Sequence, residues 1–188
     1  MDKLKSTIAL VSIIAFSFGC GQEDNKEASN QTGMELHEDT SSESEKMPSR
    51  NSALTFSDEN ITEIVEAYLS LKDALVATNG DKASKEAENL LSILERSDIK
   101  TKKSLKMEVE KITKATDPEI QRVAFDLISQ QVLIIAKSVI LTEGKLYKQY
   151  CPMAKNNEGA FWLSTSSEIR NPYFGDKMLT CGSVEEEI

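Results

Sequence analysis

The sequence predicts a mainly α-helical protein: an up-down four-helix bundle with a C-terminal β-hairpin and loop segment packed on it. Three observations predict this. Apolar residues recur at helical spacing in four successive runs between residues 57 and 142. The links between runs are short and carry capping residues, so neighbouring helices should run antiparallel. Beyond Gly144 the helical period is lost, and aromatics, glycine and proline take over.

The first helix starts at Ser57 as N-cap, with Asp58 and Glu59 placing negative charge where the helix dipole favours it. Phe56 before the cap and Ile61 inside it form a hydrophobic staple. Ile61, Ile64, Val65, Tyr68, Leu71 and Leu75 share one face, and Asn79-Gly80 ends the helix. Asp81 caps the second helix, whose stripe is Ala83, Ala87, Leu90, Leu91 and Leu94, ending near Ser97-Asp98. The third is shorter and more charged, with Leu105, Val109 and Ile112 facing inward. Asp117 and Pro118 open the fourth as cap and first helical residue. Its stripe of Ile120, Val123, Ala124, Leu127 and Ile128 widens into Val132–Ala136 and reaches Val139 and Ile140. Apolar on most sides, its second half should be the buried centre, with Gly144 as the stop. Two extended runs, about 146–151 and 160–164, flank Asn156-Asn157-Glu158-Gly159 and read as the hairpin.

The N-terminus has a different character. Lys3 and Lys5 precede an apolar run and a small residue, Gly19, at a cut before Cys20, which describes a secretory signal over residues 1–19. The run is too short to span a bilayer comfortably, since a spanning helix needs roughly 20 apolar residues. Ser17-Phe18-Gly19-Cys20 resembles the lipobox of bacterial lipoproteins, in the looser form found among Bacteroidota, where Ser17 replaces the usual aliphatic residue. The resemblance implies cleavage before Cys20 and acylation of that cysteine with several chains, palmitate among them. Several chains hold a protein firmly, at about 0.8 kcal/mol per buried methylene.

Residues 20–55 then read as the lipidated cysteine and a disordered acidic tether, and 56–188 as the folded domain. Between Gly21 and Ser52 the acids are Glu23, Asp24, Glu27, Glu35, Glu38, Asp39, Glu43 and Glu45, against Lys26, Lys46 and Arg50. Such a segment has too little apolar surface to offset chain entropy. Met34, His37 and Met47 are soft ligands within it, though widely spread. The acidic run after Cys20 also resembles surface-export signals of Bacteroidota lipoproteins.

Charge and composition exclude several functions. The whole chain carries −9, and removing the first nineteen residues makes it one unit more negative, because Lys3 and Lys5 outweigh Asp2. Such a chain repels phosphate backbones, so nucleic acid is not an expected partner. It is also repelled by an anionic membrane surface, so attachment should come from lipid or from a partner. The single histidine, His37, lies outside the domain, so a histidine triad or a multi-histidine zinc site cannot be built there. The helices lack a repeated Glu-x-x-His pattern, and no glycine-rich phosphate cradle is present. Ser164, Ser166 and Ser167 have no histidine base, and Glu185–Glu187 read as a solvated tail. The protein is not expected to be an enzyme.

The chemistry lies in the C-terminal segment. With Cys20 assigned to lipid, Cys151 and Cys181 remain, each near a methionine. Cys151 and Met153 are two apart and share a face if the segment is extended; Met178 and Cys181 are three apart, as on one face of a turn. Two thiols and two thioethers form a soft donor set suited to Cu(I) or another thiophilic ion. The alternative is a disulfide between Cys151 and Cys181, the usual fate of a cysteine pair outside the cytoplasm. Closing a loop of that length would stabilise the fold by roughly 3–4 kcal/mol in the chain-entropy model.

The strings Tyr150-Cys-Pro-Met-Ala, Gly159-Ala-Phe-Trp-Leu-Ser and Ile169-Arg-Asn-Pro-Tyr-Phe-Gly-Asp-Lys-Met-Leu-Thr-Cys-Gly182 resemble a domain-of-unknown-function family of Bacteroidota. Its members occur as small lipoproteins, and the domain is also appended to periplasmic adaptor subunits of copper/silver efflux pumps. The resemblance is specific over 145–188 and looser over the helices. It implies a periplasmic role near heavy-metal efflux, and it raises Cys151, Met153, Met178 and Cys181 as metal ligands. Extra histidine or methionine runs, frequent in that family, are absent from this domain.

Two readings of function follow. One is a membrane-anchored envelope lipoprotein, on the periplasmic side of the outer membrane or at the cell surface, that binds or hands over a Cu(I)-type ion near an efflux adaptor. The other is a disulfide-stabilised, non-catalytic module that docks on an envelope or efflux-adaptor protein. In the second reading the loop Asn171, Pro172, Tyr173, Phe174 and Gly175 is the exposed contact surface, since aromatic loops make good anchors.

Overall fold

A computed structural model describes residues 54–188, in the order β1 (Thr55–Phe56), α1 (Glu59–Val76), α2 (Gly80–Arg96), α3 (Lys102–Thr113), α4 (Pro118–Ala136), β2 (Leu141–Glu143), β3 (Tyr147–Cys151), β4 (Ala160–Ser164) and β5 (Ser183–Glu187). The protein is mainly helical, with a small antiparallel sheet at its C-terminal end. Consecutive helices pack on one another, and α4 also packs on α1. Among the described residues no helix is long and apolar enough to cross a membrane. The signal, Cys20, Met34, His37 and Met47 lie outside the described residues.

The helices begin where caps allow. The cap of α1 is Asp58, one residue after the position expected, and its carboxylate accepts from the Asn60 and Ile61 N–H groups. Ser57 is occupied elsewhere: its N–H donates to Ile140 O at 2.8 Å, and its hydroxyl accepts from Ile140 N–H. That link belongs to a two-stranded pairing of β1 with β2, which draws Leu54 and Thr55 into the domain; Leu54 is buried. Periodicity missed β2 because a three-residue strand has too few alternations to register.

Asn79-Gly80 does not end α1 in the expected manner. Thr78 takes the left-handed conformation, with φ +51°, and Asn79 caps α2 by accepting from Lys82 N–H at 2.9 Å. Gly80 is the first residue of α2, where a Cβ would lie 1.8 Å from the Thr116 carbonyl oxygen. The glycine is there for close packing against the α3–α4 link.

The inward faces of α1 to α3 are those the periodicity predicts: Ile61, Ile64, Val65, Tyr68, Leu71, Leu75, Ala83, Ala87, Leu90, Leu94, Leu105, Val109 and Ile112 are buried, and of the expected stripes only Leu91 is partly exposed. In α4 the helix is rotated relative to expectation. Ala124 and Ile128 are buried, but Ile120, Val123 and Leu127 are exposed, and Gln121, Arg122, Phe125, Asp126 and Ser129 face inward. The helix ends at Ala136, and Ile140 is exposed. The physical reason is hydrogen bonding. Gln121 donates to the Gly80 and Ala115 carbonyls, while Ser129 contacts the Tyr68 hydroxyl at 2.8 Å. A buried polar group with partners is tolerated, and a stripe built on hydrophobicity alone cannot detect that.

The expected hairpin is present, with Cys151 opposite Ala160 and Tyr147 opposite Ser164. A strand completes the sheet where a solvated tail is expected: β5 pairs with β3, giving the order β4-β3-β5. Its acids form ion pairs with lysines, Glu185 with Lys148, Glu186 with Lys137 and Glu187 with Lys145, at 2.6–2.8 Å. Exposed pairs of this kind contribute little each, about 0–1 kcal/mol. Their value is in guarding an edge strand with charge.

The sheet is joined to the helices by stacked aromatics. Tyr68 of α1 lies parallel to Phe125 of α4, centroids 5.3 Å apart, and Phe125 meets Tyr173 at 5.7 Å. Tyr173 in turn meets the edge of Trp162 in β4 at 6.2 Å.

Candidate functional site

Cys151 ends β3, the central strand of the sheet, and Cys181 lies two residues before β5. Because β3 and β5 run antiparallel with Tyr150 opposite Ser183, the chain end entering β5 passes directly across Cys151. The two sulfurs lie 2.6 Å apart. Cys151 is fully buried, whereas Cys181 is partly exposed. Both are free thiols. The hydrogen bond to Cys151, helped by burial, pushes the Cys181 thiol up to about 11.

The surroundings hold this approach in place. Gly182 has φ +138°, and a Cβ there would lie 2.7 Å from the Tyr150 carbonyl oxygen and 2.9 Å from the Trp162 ring. Only glycine lets the strand start so close to β3. Asn171 donates from Nδ2 to the Cys181 carbonyl at 2.8 Å, and the Cys181 N–H closes a turn onto Met178 O. Two residues before Cys151 on β3, Gln149 accepts at Oε1 from Trp162 Nε1–H at 2.7 Å and donates from Nε2 to the Ser166 and Glu168 carbonyls.

The methionines are placed differently from each other. Met178 is half-buried in the same turn as Cys181. Met153 is not on the face of Cys151: the strand stops at Cys151, Pro152 and Met153 lie in a turn, and Met153 is 46% exposed. Proline, with no N–H to give the ladder, ends the strand there.

Two sulfurs at tetrahedral positions about 2.3 Å from a metal ion lie about 3.7 Å apart, and a disulfide holds them at about 2.05 Å. The observed 2.6 Å lies between. A soft ion would therefore require the pair to open by about 1 Å, with Met178 the nearer thioether in sequence and fold. Among the described residues, no group of three or more histidine, cysteine, aspartate or glutamate side chains converges, so a donor set would rest on sulfur.

The loop of Asn171, Pro172, Tyr173, Phe174 and Gly175 is not the exposed surface expected of it. Asn171, Pro172, Tyr173 and Gly175 are buried and Phe174 is half-buried. The Asn171 side chain caps the Tyr173 and Phe174 N–H groups, and Tyr173 donates its hydroxyl to the Phe161 carbonyl. Arg122 donates to Pro172 O at 2.8 Å, to Leu75 O at 3.1 Å and to Glu119 Oε1 at 3.0 Å. An aromatic loop with this many inward partners is an internal brace.

The sequence also concealed a second polar cluster. Lys155, Asn156 and Asn157 form a left-handed turn, with φ +54°, +57° and +71°. A non-glycine residue in that region costs roughly 1–2 kcal/mol, and Lys155 uses the turn to reach Asp126 Oδ2 at 2.8 Å. That hydrogen bond raises the Lys155 ammonium above its usual value. Burial raises the Tyr68 and Tyr173 phenols nearby. The signal for this turn was Asn156-Asn157 before Gly159, residues that tolerate positive φ; nothing in the sequence linked it to Asp126.

Residues 64–144 match a family described as a protein of unknown function, DUF3347. The match begins inside α1 and ends just after β2. It thus covers the helices, where the resemblance read from the sequence is looser, and stops short of the sheet that carries Cys151 and Cys181. No curated protein and no solved structure matches the chain.

Proposed function

We propose that this is a non-catalytic, lipid-anchored envelope protein whose working element is the Cys151–Cys181 thiol pair, and that the reduced pair takes up a thiophilic ion of the Cu(I) type. The frame is an up-down four-helix bundle, a reading supported by short links and by the packing of each helix on the next, with α4 returning to α1. Cys20 carries the lipid, and the acidic segment sets the domain at a distance from the membrane, on the periplasmic side of the outer membrane or at the cell surface. The partner for handover is a heavy-metal efflux adaptor or another envelope protein.

One observation carries the reading: two cysteines thirty positions apart meet where the chain enters β5 beside β3, and one of them, Cys181, is partly exposed. Soft thiolates favour Cu(I) over harder ions, and Met178 in the Cys181 turn adds a thioether within the same loop. Competition with a chromogenic Cu(I) chelator tests it. The reduced protein should bind one ion, and Cys151→Ser or Cys181→Ser should abolish that binding. Retention of affinity by both variants would overturn the assignment.

The 2.6 Å separation and the outward position of Met153 favour a second reading, in which the pair is oxidised in the mature protein and locks β3 to the start of β5. The module then works by docking alone. Intact mass after thiol labelling separates the two: the metal reading expects two labels beyond any on Cys20 without prior reduction, and the lock expects them only after reduction. Loss of the lock on reduction should cost roughly 3–4 kcal/mol of stability. Lipidation is tested separately, by a palmitate-dependent mass increase that Cys20→Ala removes.

A further inference from the structure

The rotation of α4 leaves a row of large apolar side chains outside. Ile120 is 58% exposed, Val123 73%, Leu127 43% and Ile134 63%. With Gln130 and Lys137, also exposed, they step along the helix by three, four, three, four and three residues. That is the spacing of a two-helix seam, in which alternating steps of three and four keep one stripe facing a partner. Exposed apolar residues scattered singly call for no explanation, but four large ones aligned on one stripe, broken only by Gln130, do. Met107 of α3 is also exposed, at 56%, one turn along α3 from Ser104, whose hydroxyl donates to Gln131 of α4.

We propose that this face pairs with α4 of a second copy of the chain, the two helices running antiparallel. The row is complementary to itself. Ile120 and Val123 lie on one side of Leu127 and Ile134 on the other, so a two-fold axis near Leu127 sets Ile120 and Val123 of one copy against Ile134 of the second. Charge selects the direction. Asp117 and Glu119 stand at the N-terminal end of α4, and Lys137 at its C-terminal end. Antiparallel pairing sets acid beside lysine at both ends, whereas parallel pairing would set like on like. Glu119 and Lys137 already have partners within the chain, Lys177 and Glu186, so their part is in orientation and the apolar row supplies the affinity.

Sedimentation of the full-length protein, purified from membranes in mild detergent, tests this over a range of concentrations. A monomer–dimer equilibrium is expected, and Val123→Glu combined with Ile134→Glu should weaken it by about a hundredfold or more. Both residues are exposed, so helix content and the melting of the monomer should be unchanged. In membranes, Leu127→Cys should cross-link to itself under mild oxidation, with the bond mapped by mass spectrometry to position 127 in both chains. A protein that stays monomeric and uncross-linked, or a dimer that survives the double substitution with its affinity intact, would overturn the proposal.

Discussion

Cys151 and Cys181 bring their sulfurs to 2.6 Å where the chain enters β5 beside the end of β3, Cys151 fully buried and Cys181 partly exposed. The contact depends on three separate features: a strand that stops at Cys151 before Pro152, a glycine at 182 with a backbone closed to other residues, and an asparagine at 171 that holds the Cys181 carbonyl.

The raised Cys181 thiol makes metal uptake depend on pH. With its value near 11, the thiol keeps its proton at neutral pH, and a bound ion must displace it. Affinity for Cu(I) should therefore rise with pH, by about tenfold per unit between pH 6 and 9 for that proton. Chelator competition at four or five pH values measures the slope; a flat profile would mean that Cys181 does not bind as a thiolate.

Gln149 is fully buried and links Trp162 to two backbone carbonyls. Gln149→Leu leaves the indole N–H and the Ser166 and Glu168 carbonyls without that partner. The expected cost is about 2–4 kcal/mol, since each buried unsatisfied group loses its hydration without compensation. Urea unfolding followed by the emission of Trp162, the only tryptophan, reads it directly.

Arg122 holds the end of α1 to the 171–175 loop through the Leu75 and Pro172 carbonyls. Arg122→Met keeps much of the apolar stem and removes the donors. Stability should fall by about 2–4 kcal/mol. Hydrogen exchange should quicken between residues 171 and 178 more than in α2, where Arg122 donates to nothing.

Gly182→Ala places a methyl group against the Tyr150 carbonyl and the Trp162 ring, in a backbone region that side chains avoid. A loss of more than about 2 kcal/mol is expected. The start of β5 should shift away from β3, and in the reduced protein Cys181 should react faster with a thiol reagent. Unchanged stability and unchanged reactivity together would show that the approach of β5 to β3 does not rest on this glycine.

Much of the frame was legible in the sequence. The apolar spacing of α1, α2 and α3 led to helices whose predicted inward residues are buried, Leu91 only partly, because a helical period repeated over several turns leaves little choice of face; the cap and proline of α4 placed its start. The hairpin was legible from two short extended runs around an Asn- and Gly-rich turn. The rotation of α4 was not, because its inner face carries Gln121, Arg122, Asp126 and Ser129, whose partners come from distant parts of the chain. The burial of Asn171–Gly175 was hidden for the same reason.

The sequence by itself determined that the protein is mainly helical, that the pattern changes at Gly144, and that two cysteines remain in the domain once Cys20 is set aside. These follow from local spacing and composition, which act within a few residues. Only the tertiary structure decided that Cys151 and Cys181 meet, that Met153 turns away, that the acidic C-terminus is a strand, and that an apolar face of α4 is left outside. Each depends on groups brought together from far apart in the chain, where hydrogen-bond satisfaction and strand register outweigh local hydrophobicity.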